Sequence, residues 1–158
     1  MQYKDTRADP LASSSWPQAV AHFADSQGLP AERLLDGMPF TCDRWIFRLQ
    51  YNPHADPEGL VVMLDLGEIP QETAGLLQLE MLSENVRRPA SLMGYYGIAP
   101  GTRRSAYCYH IDMRNVSPRP HQAIHAAVAC MAATMESSRV MMNGVMDGPF
   151  INRASGLP

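Results

Sequence analysis

The chain has 158 residues, of which 46% are apolar and 18% charged, and its formal net charge is −3. That length supports one domain with a real core, burying roughly 68–70% of the surface its unfolded chain would expose, and makes two domains cramped. With no basic surplus, nucleic acid and anionic membranes are poor candidates for the main partner.

Met1 to Ser15 is polar, without a basic-then-apolar leader, and is expected to form a loose tail. No apolar run approaches the roughly 18–20 residues that span a bilayer. Trp16 to Gly28 follows as a first helix, with Ser15 as N-cap, Pro17 in the first turn, and Gly28 and Pro30 as stop signals. Trp16, Val20 and Phe23 share one side of it. A connector holding Pro30, Gly37 and Pro39 leads to Trp45–Tyr51, where Trp45, Phe47, Leu49 and Tyr51 alternate with Ile46, Arg48 and Gln50. Period two is the signature of a half-buried strand. Asn52 to Gly59 turns the chain. In the next strand Leu60, Val62, Leu64 and Leu66 face one way and Val61, Met63 and Asp65 the other, so the two runs form an antiparallel hairpin.

Pro70 opens a second helix, with Glu72 near the positive end of its dipole and Arg87, Arg88 and Pro89 at its close. At about 100° per residue, Leu76, Leu79, Leu82 and Val86 gather on one side. Ala74, Leu77 and Met81 gather on nearly the opposite one. An ordinary surface helix needs one apolar stripe; a second stripe needs a second cover, and another copy of the chain supplies one. Leu92–Ile98 and Ser105–Met113 read as two further strands joined by Ala99-Pro100-Gly101-Thr102. The last helix starts at Pro118 or Pro120 and ends near Met142, with Ile124, Val128, Met131, Met135 and Met142 in one stripe. Residues 143–158 carry three glycines and two prolines and are expected to be a second loose tail.

In order, helix, two strands, helix, two strands, helix describes an α+β protein: a twisted antiparallel sheet with helices packed on it. This order resembles the class I type III secretion chaperones, the Tir chaperone family. The match is best over the apolar hairpin running into Leu64-Asp65-Leu66-Gly67-Glu68-Ile69-Pro70, then Leu76-Leu77 and the Leu82 to Asn85 helix end. The second strand pair and the closing helix extend it over roughly Trp16 to Met142. Two features depart from the family: the last helix is rich in Ala and Met rather than acidic residues and Leu, and the net charge is less acidic than usual there. Both leave the identity of the client open.

The resemblance implies a cytosolic homodimer in a Gram-negative bacterium. It would hold the amino-terminal segment of a secreted effector extended and non-globular before export, using no nucleotide, metal or other cofactor. An extended segment adds a strand to a sheet edge and places its side chains in apolar patches beside it. Val20 and Phe23 on the first helix, with Ile46, Val61 and Met63 on the outer sheet face, are the candidate client-binding residues; the alternative makes them core under the first helix. Leu76, Leu79, Leu82 and Val86 are the candidate dimer interface; the alternative packs either stripe on the last helix of the same chain.

Other chemistries are weaker in this sequence. Cys42, Cys108 and Cys130 are odd in number and widely spaced, which fits small buried hydrophobes in a reducing cytosol rather than a disulfide framework. His121 and His125 share a helical face as two zinc ligands would, but Gln122 stands where a helical metalloprotease has Glu. His110 and Asp112 lie on one side of a strand, with Tyr109 just before them in sequence, and no nucleophile motif accompanies them. Gly94-Tyr95-Tyr96-Gly97 is neither form of phosphate-binding glycine loop. Two other functions stay open: an enzyme with a hidden site at Tyr109, His110 and Asp112, and a homodimeric adaptor or sensory domain that recognises a folded partner.

Overall fold

The computed structural model describes residues 15–87, 94–99, 101–116 and 119–142; both expected tails, Ser15 apart, lie outside them. Helix α1 (Trp16–Ser26) begins where Ser15 is extended and its N–H donates to Gln18 Oε1 at 3.4 Å. It ends where Gly28 turns left-handed at φ +65° and the Leu29 N–H reaches back to the Ala24 carbonyl at 2.8 Å. The connector contains two elements absent from the sequence expectation, helix α2 (Ala31–Leu35) and strand β1 (Phe40–Cys42). Five and three residues are too short to show a period of their own; the neighbouring elements define them.

β1 pairs with β2 (Trp45–Gln50) across a turn in which Asp43 adopts φ 53°. β2 pairs with the long β3 (Gly59–Glu68), confirming the expected hairpin, and Phe47 sits opposite Leu64. A short 3-10 turn (Gln71–Thr73) leads into α3 (Ala74–Arg87). Then come β4 (Tyr95–Ile98), β5 (Arg104–Asp112), another 3-10 turn and α4 (Pro120–Met142). β4 is shorter than the expected Leu92–Ile98; residues 92 and 93 are outside the described set. The sheet order is β1-β2-β3-β5-β4, all pairs antiparallel. A bulge at Asp65 to Gly67 breaks the β3–β5 register, and Asp65 Oδ1 accepts the Gly67 N–H there at 2.9 Å.

The molecule is α+β, with α1, α2 and α4 covering one face of the five-stranded sheet. The core joins Trp16, Val20 and Phe23 of α1 and Leu34 of α2 to Phe47, Leu49, Leu60, Val62, Leu64, Tyr107 and Ile111 of the sheet. From α4 it takes Ile124, Ala127, Val128, Met131 and Met135, which bears out most of the expected stripe. The Trp16 indole N–H donates to the Glu58 carbonyl at 2.8 Å, pinning α1 to the β2–β3 loop. Phe40 links the layers, 5.5 Å from the Phe23 ring and 5.8 Å from the Phe47 ring. Among the described residues no helix is long and apolar enough to cross a membrane.

Candidate protein-binding surfaces

Helix α3 differs from the other three: it buries no residue. Leu76, Leu79, Leu82 and Val86 are 67%, 61%, 63% and 86% exposed. The second stripe, Ala74, Leu77 and Met81, is half-buried, and α3 lies along β4 at the end of the sheet. β4 itself exposes Tyr95 and Ile98. Four large aliphatic side chains on one helical face, rimmed by the exposed Glu80 and the Glu84–Arg87 pair, form the kind of grouped apolar surface that marks an interaction site. Among the described residues none buries the expected dimer stripe.

The five expected client-binding residues do not share a surface. Val20 and Phe23 are 0% and 1% exposed, within the core between α1 and the inner sheet face. Val20 is ordinary core beneath the first helix, the alternative considered for it, whereas Phe23, though buried, also lines the hollow beside β1 described below. Ile46, Val61 and Met63 point to the opposite, uncovered face and are half-buried. The sheet separates the two sets because successive strand side chains alternate between faces. On the outer face Met63 lies beside Arg48 and Val61 beside Gln50. A shallow concavity of about 370 Å³ there is lined by Arg48, Gln50, Met63, Asp65, Arg104 and Ala106. Arg104 pairs with Asp65 at 2.7 Å, so its rim is charged and locally balanced.

A larger hollow, about 650 Å³, opens beside the other end of the sheet, between the β1–β2 turn and α4. Trp45, Val128, Ala129, Ala132 and Ala133 make it apolar, and Asp43, His125 and Glu136 add polar groups. Arg44 pairs with Glu136 and stands over the Trp45 ring at 5.2 Å. This groove was not foreseen in the sequence. The signal for it is the alanine run of the last helix, Ala129, Ala132 and Ala133: small side chains at helical spacing leave space where larger ones would close on the turn. It lies next to β1, an end strand three residues long.

The titratable groups serve contacts between elements. His121 packs 5.5 Å from His22, and His125 meets the Ser26 hydroxyl at 2.9 Å and the Phe23 ring at 4.7 Å. Burial first, then the nearby His121, holds the His125 pKa below the usual imidazole value. His110 and Asp112 do not pair with each other: His110 contacts Asp56 at 2.9 Å, and Asp112 holds Arg114 at 2.7 Å. Hydrogen bonds from Arg114 lower the Asp112 pKa. Burial pushes the Cys108 thiol up to about 11. Among the described residues no group of three or more His, Cys, Asp or Glu side chains is placed to hold a metal ion.

Among the described residues, three helices on one face of a five-stranded antiparallel sheet and a fourth lying along β4 at its end define the fold. A chain from the crystal structure of the ExsC–ExsE complex shares it, with a TM-score of 0.55 and 16% identity over 75% of this chain and 86% of that one. At that identity the likeness is one of fold. No family's sequence profile matches the chain, and no curated protein matches it in sequence.

Proposed function

We propose that this protein is a non-enzymatic secretion chaperone of the class I, Tir chaperone kind. It pairs with itself through α3 and holds the amino-terminal segment of a type III effector extended until export, without nucleotide or metal. The observation that carries this is the α3 stripe: Leu76, Leu79, Leu82 and Val86 stay in water in the single chain, on a fold shared with a chain of the ExsC–ExsE complex. The name of that complex pairs one protein with another, in keeping with a role in binding protein. The cytosol of a Gram-negative bacterium is the compartment this role requires.

For the client, the fold offers the outer-face residues Ile46, Val61 and Met63 and the groove beside β1. An extended segment lying along β1 would place alternate side chains over Trp45 and the alanines of α4, while its backbone bonds to the strand edge. Phe23 lines that groove from the core side.

Two measurements test the reading. In sedimentation equilibrium the wild-type chain is a dimer, and Leu79→Asp is a folded monomer, because pairing would bury an unmatched carboxylate. A dimer of unchanged affinity in that variant overturns the interface. Capture from the native bacterium, followed by limited proteolysis of the bound protein, then maps the client. A protease-sensitive segment near its amino terminus, protected only in the complex, supports the chaperone. A partner bound through a compact folded domain points to an adaptor instead.

A further inference from the structure

β4 ends the sheet and is four residues long. End strands present backbone donors and acceptors that pair readily with another chain. Here the middle of that edge is occupied. The Tyr96 N–H donates to Asn85 Oδ1 at 2.7 Å, and Asn85 Nδ2 donates to the Tyr96 carbonyl at 2.9 Å. One donor and one acceptor on the same residue, met by one acceptor and one donor, is the exchange that a hydrogen-bonded pair makes in an antiparallel ladder. The side-chain amide of Asn85 therefore stands in for the peptide group of a further strand. Both bonds are partly buried, which raises the cost of leaving Tyr96 unpaired.

The same contact has a second consequence. Helix α3 fully buries no side chain, so its half-buried stripe of Ala74, Leu77 and Met81 sets its rotation less firmly than the core stripes set those of α1 and α4. Asn85 sits near its carboxyl end and ties it to a defined point on the sheet. Asn85 and Tyr96 are 11 residues apart, with the α3–β4 connection between them.

We propose that Asn85 is a sheet-edge lock: its amide takes the place of the next strand on β4, denies that edge to extended polypeptide, and holds α3 with Leu76, Leu79 and Leu82 turned outward. Self-association then runs through the helix face and not through continuation of the sheet. An incoming strand is left the β1 end.

The test uses the full chain with Asn85→Ala and needs no client, so its failure leaves the chaperone reading standing. Amide hydrogen exchange at Tyr96 is expected to speed up roughly tenfold or more once both bonds are gone. Sedimentation velocity over a concentration series is expected to reveal species heavier than the wild-type assembly. Adding Ile98→Lys, a charge on the same short edge strand, should remove those species, which general unfolding would not permit. Asn85→Asp keeps the acceptor and loses the donor, so it falls between; it also supplies the same readouts should the alanine variant fail to fold. Unchanged Tyr96 exchange overturns the lock. Faster exchange with wild-type assembly size at every concentration overturns its role in excluding strands, as do heavier species that persist with Ile98→Lys.

Discussion

Helices α1 and α3 carry similar apolar stripes and meet opposite fates. Trp16, Val20 and Phe23 of α1 are closed between the sheet and α4, whereas Leu76, Leu79, Leu82 and Val86 of α3 stand in water. Both stripes obey the same helical period. What differs is position: α1 packs between α4 and α2 on the covered face of the sheet, and α3 lies at the end against a four-residue strand. Periodicity identifies which face of a helix seeks cover. It does not say whether the chain itself provides that cover, and this difference separates a stability element from an interaction element.

The contrast breaks most sharply on substitution. Phe23→Ala should cost roughly 3–5 kcal/mol of unfolding free energy, because it removes a buried ring from the core, and urea titration should show that loss at any protein concentration. Leu79→Ala should lose only the part of the stability that depends on concentration, as expected of a residue that contributes through association. If Leu79→Ala weakens the fold equally at all dilutions, α3 is core in solution and the contrast is false.

Acid should act on the α1–α4 seam before it acts on α3. The folded state disfavours protonated His125, whereas the unfolded chain takes up the proton at an ordinary imidazole pKa of about 6.5. The unfolded state therefore binds more protons between the two values. Stability is complete above roughly pH 6.5 and declines as pH falls through that value towards the lower folded pKa. Urea midpoints between neutral and mildly acid pH should show this slope, and His125→Ala should flatten it.

The smallest effect expected is on thiol reactivity. Cys130 is exposed and Cys108 buried, with its thiol raised to about 11. A disulfide reagent at mildly alkaline pH should modify Cys130 first. Cys42, half-exposed and also raised by burial and by Asp43, should follow, and Cys108 should be last. Early modification of Cys108 would mean that the β5–β4 end of the sheet opens more readily than the α1 side.

Most of the architecture was legible in the residues. Alternation in Trp45–Gln50 and Leu60–Leu64 identified the inner sheet face, and the Ile124, Val128, Met131 and Met135 stripe identified how α4 packs. The candidate site was less legible. Ile46, Val61 and Met63 were correctly separated from the inward set of their strands, but nothing local tells that Val20 and Phe23 lie on the far side of the same sheet. The groove at Trp45 was hidden for the same reason: it exists only where the β1–β2 turn meets the alanines of α4, roughly eighty residues later in the chain.

By itself the sequence determined the order of the main elements, the two faces of β2, β3 and β5 and the presence of an excess apolar stripe, since each follows from spacing within a few turns or residues. Tertiary structure alone decided that α1 is covered while α3 is buried by none of the described residues, that Asn85 meets the β4 edge, and that a groove opens beside β1. Those outcomes depend on contacts between distant segments, whose geometry is set by strand order and packing, and no local period encodes them.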